Sequence, residues 1–355
     1  MLFENKSILV TGGTGSMGKT FVRRVLSGKL GTPKKVIVFS RDEAKQHEMR
    51  VSNLHRMVAT DEVIYRNFMN VLEFRIGDVR NYRDICSAVK SSDIIVNAAA
   101  LKQVPACEYF PTQAVLTNCM GAANIVHAIE ENDFPVQTVV AISTDKACKP
   151  INVMGMTKSV QERIVTSANI LNPNTRFICV RYGNVLASRG SVIPLFIEQI
   201  LNNGPVTVTV PEMTRFLLTL DQAVDTVIAA IGEANPGETY IPKAPSATVM
   251  NIARTLIGKR KIDIAVTGIR PGEKMHEILV SEEEANHCTE RGEYYSILPM
   301  LPELQITTDK ESNALIKEYS SADDVLDLEG TIELLRKHKL MVDDVQINSH
   351  GELLR

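Results

Sequence analysis

Short runs of β-branched and other apolar residues alternate along this chain with longer stretches in which apolar positions recur every three or four residues. In the first half, 7–12 (SILVTG), 35–40 (KVIVFS), 71–79 (VLEFRIGDV), 93–99 (DIIVNAA), 137–144 (QTVVAIST) and 176–183 (RFICVRYG) read as strands. These runs are apolar almost throughout rather than at every second position, as strands covered on both faces are. Amphipathic segments at 17–28, 42–58, 113–130 and 154–171 separate most of them and read as helices. The alternation predicts an α/β fold, a doubly wound parallel sheet of the Rossmann type with right-handed crossovers.

After residue 185 the rhythm loosens. Gly and Pro punctuate ASRGSVIPLF, NNGPVTVTVPEMTRF, ANPGETYIPKAPS and GIRPGEK, the pattern of a smaller α/β lobe. Segment 217–232 reads as a helix and 238–243 as a strand, both returning to the large sheet. The expected division is therefore a dinucleotide-binding domain of 1–185 and 214–243, and a substrate lobe with a tail of 186–213 and 244–355. The tail from about 305 is polar, with one amphipathic helix near 329–340, and no segment repeats.

Composition narrows the partners. Of 355 residues, 44% are hydrophobic and 23% charged, as in an ordinary globular protein. A net charge of −3 and a pI of about 6.2 provide no basic field for nucleic acid or an anionic membrane. An anionic ligand must then meet a local group of Arg and Lys. No apolar run approaches the roughly 20 residues that span a bilayer, and a strand beginning at residue 7 leaves no room for a signal peptide. A cytoplasmic protein is expected. The six cysteines form no C-x-x-C and read as reduced thiols, and the seven histidines have no ligand spacing, so no metal site is expected.

The first strand runs into TGGTGSMG, which spaces Gly12, Gly15 and Gly18 as G-x-x-G-x-x-G around Thr14, Ser16 and Met17 at the opening of a helix. Side chains at the glycines would hold the backbone off a pyrophosphate, and the helix N-terminus offers free N–H donors. The second strand ends in Ser40 and Arg41, a hydroxyl and a fixed cation suited to a 2′-phosphate. NADP is thus expected over NAD, although Asp42, the carboxylate that would hold a free ribose, keeps NAD open. Asp78 and Val79 are placed to flank the adenine. Ala98, Ala99 and Ala100 after the fourth strand are placed to line the pyrophosphate and nicotinamide ribose.

The ends of strands four, five and six should converge, bringing together Lys102, the run Ser143 to Lys146, Met154, Lys158 and the run Arg181 to Asn184. Sites that oxidise a sugar hydroxyl with a nicotinamide cofactor commonly carry a tyrosine four residues before a lysine, as general base. Here Met154 holds that position before Lys158, and a thioether cannot take a proton. Lys158 is expected to hold the nicotinamide ribose and to depress the pKa of nearby acids. The cluster Thr144, Asp145 and Lys146 has two readings: a solvated turn whose charges pair, or a proton donor beside an acceptor. Lys146 serves as a base only if its pKa falls, which burial, a second lysine and the cationic nicotinamide ring would favour.

Eight strings in order over residues 5 to 285 carry a resemblance: TGGTGSMG, SRDEAKQHEMR, AALKQVPACEYFP, STDKACKPINVMGMTK, RYGNVLASRGSVIPLF, MTRFLLTL, KAPSATV and RPGEKMHEIL. The chain resembles the extended short-chain dehydrogenase/reductases and, within them, the inverting UDP-N-acetylglucosamine 4,6-dehydratases of bacterial polysaccharide and flagellin-glycan synthesis. It is similar to the capsule and O-antigen kind, which carry M-x-x-x-K in place of Y-x-x-x-K. The resemblance implies hydride transfer from C4 to NADP, loss of water across C5 and C6, and return of the hydride to C6 with inversion at C5. It gives Asp145 as the acid for the departing hydroxyl, Lys146 as the base at C5, Thr144 as a partner of the C4 oxygen and Lys158 as the ribose ligand. On the UDP-sugar side it implies Arg270 at the pyrophosphate, Glu273 at the uridine ribose and Lys102 over the sugar, with Asn184, Arg189, Ser191, Arg215 and Lys243 in matching strings. For Arg189, Arg215 and Lys243 a structural ion pair stays equally open. Relatives of this kind form homo-oligomers, hexamers or smaller. A 4-epimerase or a 4-keto reductase on the same scaffold is the nearest rival, and a non-catalytic NADP-binding protein, supported by Met154 alone, is the other.

Overall fold

The computed structural model describes residues 1–54, 62–186, 191–305, 314–344, 346–347 and 353–354. All six strands of the first half form: β1 (Ser7–Thr11), β2 (Lys35–Ser40), β3 (Leu72–Ile76), β4 (Ile94–Asn97), β5 (Thr138–Thr144) and β6 (Arg176–Tyr182). They pair in parallel in the order β3-β2-β1-β4-β5-β6. Between them run α1 (Ser16–Leu26), α2 (Glu43–Leu54), α3 (Glu62–Val71), α4 (Tyr82–Val89), the short α5 (Val104–Tyr109) and α6 (Pro111–Ala114), α7 (Gly121–Asn132) and α8 (Val153–Leu171). The expected helix 42–58 is α2 as far as Leu54, and 55–61 lie outside the described residues.

Successive residues of a strand face opposite sides, and two apolar layers follow from this. Ile8 and Val10 join Phe21, Val25, Val180 and Val227 on one face, while Leu9 joins Ile37, Val139, Phe177 and Val165 on the other. Each such fully buried side chain contributes about 1.5–3 kcal/mol. The predicted helix 217–232 is Leu220–Glu233, and the predicted strand 238–243 is Thr239–Pro242, parallel to β6.

Two features depart from the expected pattern. Cys288–Arg291 and Tyr294–Ile297 form a hairpin that adds antiparallel to Thr239–Pro242 and makes the sheet nine-stranded, beyond the residues assigned to the dinucleotide domain. Its sequence, CTERGEYYSI, reads weakly because its few apolar residues follow no alternating pattern. The expected helix 113–130 is interrupted by a π-helical stretch, Val115–Met120. There the side chain of Asn118 accepts from the Leu101 N–H (2.8 Å) and donates to Leu101 O (3.0 Å) and Thr157 Oγ1 (2.9 Å), tying the loop after β4 to α8. Wider turns of this kind recur at functional sites.

The smaller lobe has its own apolar cluster, in which Ile193, Phe196 and Ile197 meet Ile252, Leu256 and Leu335. The late helix predicted near 329–340 is Leu328–Lys337 and packs there. Among the described residues no helix is long and apolar enough to cross a membrane, and no group of three His, Cys, Asp or Glu could hold a metal ion.

Candidate active site

At the carboxyl ends of β1 and β4 the strand order turns back on itself, the place where α/β sheets bind ligands. Gly12 has φ +64°, and a Cβ on it would lie 2.8 Å from Ala99 Cα, so the glycine turn lies directly against the loop of Ala98 and Ala99. A Cβ on Gly18 would lie 2.5 Å from Gly13 Cα, so α1 begins pressed onto the same turn. Gly15 is the N-cap of α1 and supplies no side-chain acceptor. The first-turn N–H groups around Ser16 and Met17 are therefore left for an anion, and Thr14 in the same turn is buried. The Thr11 hydroxyl donates to Asn97 (2.7 Å) and accepts from the Ala99 N–H (3.2 Å), fixing the two loops together. A pyrophosphate fits this cradle.

At the end of β2, Ser40 is buried and its hydroxyl accepts from Gln46 (3.0 Å). The Arg41 side chain is half exposed and stands 3.6 Å from Asp78, which Arg80 also grips (2.9 Å from Nε). Arg80 is a second cation that the sequence reading left unassigned. Asp42 turns the other way: it accepts from the Lys45 N–H (3.0 Å) and pairs with the Lys45 ammonium (2.9 Å) at the start of α2. Val79 is buried and its carbonyl accepts from Asn124 (2.8 Å).

The ends of β4, β5 and β6 lie side by side, as expected. Asp145, which follows β5, is fully buried, with one carboxylate oxygen accepting from Thr144 Oγ1 (2.9 Å) and Lys146 Nζ (2.9 Å). Its other oxygen is buried without a partner. Lys146 Nζ also donates to Asn184 Oδ1 (3.3 Å) and stands 3.4 Å from Glu277 Oε1. Glu277 is only 3% exposed, and its Oε2 too is buried without a partner. It sits in RPGEKMHEIL but was missed, because a carboxylate just before a short apolar strand, Ile278–Val280, reads as a solvated strand end.

The charge on Lys146 runs against expectation. Burial lowers its pKa, but the Asp145 and Glu277 carboxylates outweigh that and hold it above the usual lysine range; the cation pushing downward is Arg215. The expected second lysine, Lys158, is buried and donates to the Ile142 carbonyl and to Gln161 Oε1 (2.7 Å). Burial, only partly offset by Glu162, brings Lys158 down to about 8. Met154 is 4% exposed and packs with Cys107, Ala114, Leu101 and Val104, so here the tyrosine position is a packing position.

The RPGEK string is clamped onto this turn. Lys274 donates to Cys148 O (2.6 Å), Asn152 at the N-cap of α8 donates to Gly272 O (2.9 Å), and Gly272 itself turns at φ +79°. Arg270 is exposed, and Glu273 Oε2 is buried without a partner. Arg215 is held by Glu277 (3.7 Å), the Thr214 carbonyl (2.7 Å) and the Met275 carbonyl (3.3 Å). Lys243 pairs with Glu290, donates to Gly292 O (2.7 Å) and lies over the Tyr295 ring, the structural alternative left open for it. Ser191 is the N-cap residue of helix Val192–Leu201, its hydroxyl buried without a partner. Lys102 and Ala100 lie in the loop held by Asn118, and Arg189 lies outside the described residues. Buried polar atoms are almost always satisfied, and the partnerless oxygens of Asp145, Glu273 and Ser191 fit a polar ligand that would complete their bonding.

A family model described as "Polysaccharide biosynthesis protein" matches residues 8–299. Among curated proteins, the UDP-glucose 4-epimerase of Rickettsia conorii is 40% identical over 97% of this chain and 98% of its own, and that of Rickettsia typhi is 41% identical over 90% and 92%. Among solved structures, Pen from Bacillus thuringiensis superposes with a TM-score of 0.84 at 35% identity over 96% of this chain and all of its own (100%). DesIV, a dTDP-glucose 4,6-dehydratase from Streptomyces venezuelae with NAD and TYD bound, shares the fold at a TM-score of 0.64 and 20% identity, over 76% and 86%. The chain belongs to the polysaccharide biosynthesis protein family, on the extended short-chain dehydrogenase/reductase fold of enzymes that act on nucleotide sugars.

Proposed function

We propose that this protein is a UDP-N-acetylglucosamine 4,6-dehydratase that inverts C5, giving a UDP-2-acetamido-2,6-dideoxy-L-4-hexulose for a bacterial surface glycan. The observation that carries this reading is the buried Asp145 beside Lys146 at the end of β5, with Met154 packed away in an apolar cluster. Elimination of water across C5 and C6 needs a base at one carbon and an acid at the other. Asp145 has a free oxygen to protonate the departing C6 hydroxyl, Lys146 takes the C5 proton, and Thr144 bonds the C4 oxygen. NADP, when bound, would supply the hydride acceptor for C4 and the hydride donor for C6. Gly12, Thr14, Gly15, Ser16, Met17 and Gly18 would hold its pyrophosphate, Ser40 and Arg41 its 2′-phosphate, Asp78 and Val79 its adenine, and Lys158 with Ala98, Ala99 and Ala100 its nicotinamide ribose. Arg270 and Glu273 would meet the UDP, with Lys102, Asn184, Ser191 and Arg215 around the sugar and its phosphates.

The names of the curated relatives favour a second reading, a 4-epimerase. Epimerisation needs hydride transfer and a base at C4 only, and gives no role to an acid beside that base. Incubation with UDP-N-acetylglucosamine, and separately UDP-glucose, in D2O separates the two by NMR and mass spectrometry. The dehydratase yields a 6-methyl product that has lost water and carries deuterium at C5. A C4 epimer without deuterium overturns it in favour of the epimerase.

Cofactor choice has its own test. Arg41→Ala is expected to weaken NADP binding about tenfold to a hundredfold, the worth of a charge-assisted contact, and to leave NAD binding within about twofold. Calorimetry with both dinucleotides checks this; equal losses would remove Arg41 from the 2′-phosphate.

A further inference from the structure

The reaction, counted in protons, asks for more than one acid and one base. Oxidation at C4 sends a hydride to the nicotinamide dinucleotide and leaves the enzyme with the hydroxyl proton. Elimination then brings in the C5 proton while giving one to the C6 hydroxyl. With Asp145 and Lys146 alone, both groups are full after the first step. Lys146, charged between carboxylates, would have no place to shed the proton it must lose before it can act at C5.

We propose that Glu277 is the proton store of this site: it holds, through Lys146, the proton released by the C4 hydroxyl until the end of the cycle. The inference rests on the reading of Lys146 as the group that works on the sugar. Its geometry is already in place. Lys146 Nζ stands between Asp145 Oδ1 (2.9 Å) and Glu277 Oε1 (3.4 Å), so one ammonium bridges two buried carboxylates. Each carboxylate keeps one oxygen buried and unbonded. The other charges facing Glu277 are Arg215, 3.7 Å from the same oxygen, and Lys274, whose pKa burial lowers and Glu277 pulls back up. His276, next in the chain, is turned away to Thr214 Oγ1 (2.8 Å).

The steps balance. Lys146 passes one proton to Glu277 and takes the C4 hydroxyl proton in its place. It passes a second to Asp145, and the resulting amine removes the C5 proton. Asp145 protonates the departing hydroxyl; the C5–H and C6–O bonds break, a C5–C6 double bond forms and water leaves. As the hydride returns to C6, the released water protonates C5 from the face opposite Lys146, as inversion requires; the resulting hydroxide takes a proton from Lys146, and Glu277 refills Lys146. Two protons leave the sugar and two come back, one to the departing hydroxyl and one through water to C5. Glu277 acts through Lys146 and is not asked to touch the substrate.

The test is Glu277→Gln, which keeps shape and removes the proton site, with Glu277→Asp as the variant that restores a carboxylate. Stopped-flow absorbance of the reduced cofactor is followed with a pH indicator in weak buffer after mixing with UDP-N-acetylglucosamine or UDP-glucose. Wild type is expected to form reduced cofactor without releasing a proton to solvent. Glu277→Gln should fill Asp145 and Lys146 as the reduced cofactor forms, release about one proton to solvent before that cofactor is reoxidised, and turn over about a hundredfold slower or worse. Glu277→Asp should regain proton retention and part of the rate. Turnover within threefold of wild type in Glu277→Gln, or slow turnover with the proton still retained, overturns the proposal. Wild type that interconverts C4 epimers without losing water sinks the dehydratase reading only, because C4 oxidation comes first in both reactions and the proton count still decides Glu277. Wild type that forms no reduced cofactor with either sugar overturns both.

Discussion

Lys146→Ala is expected to lower kcat by about a thousandfold or more while the purified protein keeps its dinucleotide. The bonds of Lys146 run to Asp145, Asn184 and Glu277 rather than to the glycine turn and α1, the proposed cradle of the pyrophosphate. Cofactor content, read by absorbance after denaturation, should therefore match wild type. Removing the ammonium takes away the base that elimination needs at C5. Lys146→Arg separates base from charge: guanidinium keeps the cation but does not give up a proton near neutral pH. It should be about as inactive as alanine. A rate within tenfold of wild type in Lys146→Arg would mean that the residue works only by its charge, and the assigned base would be wrong.

How much of this was legible in the sequence depended on how local the cause was. Strands β1 to β6 were readable because burial on both faces forces continuous apolar runs, and the glycine turn because Gly12 must let Ala99 approach its backbone. The pair Asp145 and Lys146 was readable because charges at the end of a buried strand are conspicuous. The charge state of Lys146 was only half legible, because the adjacent Asp145 is joined in holding it up by Glu277, 131 positions away, through a fold-level contact. Asn118 stayed hidden for the same reason: its bonds to Leu101 and Thr157 exist only once the loop after β4 lies against α8. The hairpin Cys288–Arg291 and Tyr294–Ile297 escaped because its polar-rich strands carry no apolar alternation, and its pairing with Thr239–Pro242 exists only in the fold.

Gly155→Ala, one residue beyond the methionine that stands where a tyrosine is usual, is expected to cost about a hundredfold in kcat and about 1–3 kcal/mol of stability. Inside a helix this exchange normally stabilises by about 0.5–1 kcal/mol, because alanine has less freedom to lose. Here the helix has no room for it. A Cβ on Gly155 would lie 2.2 Å from Lys146 O, 3.0 Å from Lys146 C and 3.2 Å from Pro150 Cβ. Carbon and oxygen atoms do not approach so closely, so either α8 or the turn of Asp145 and Lys146 must move by about an ångström. The helix end is pinned: Asn152 accepts from the Gly155 N–H (2.8 Å) and donates to Gly272 O (2.9 Å), and Met154 beside it is buried in its cluster. The turn carries the acid and the base, so any part of the shift it takes falls on them. A shift there lengthens the 2.9 Å contact of Lys146 with Asp145 and unseats the geometry on which proton transfer depends. Steady-state kinetics with a thermal melt checks both parts. A variant that melts higher and turns over at the wild-type rate would show that α8 and the turn separate freely, and that the first turn of α8 does not set the position of Lys146.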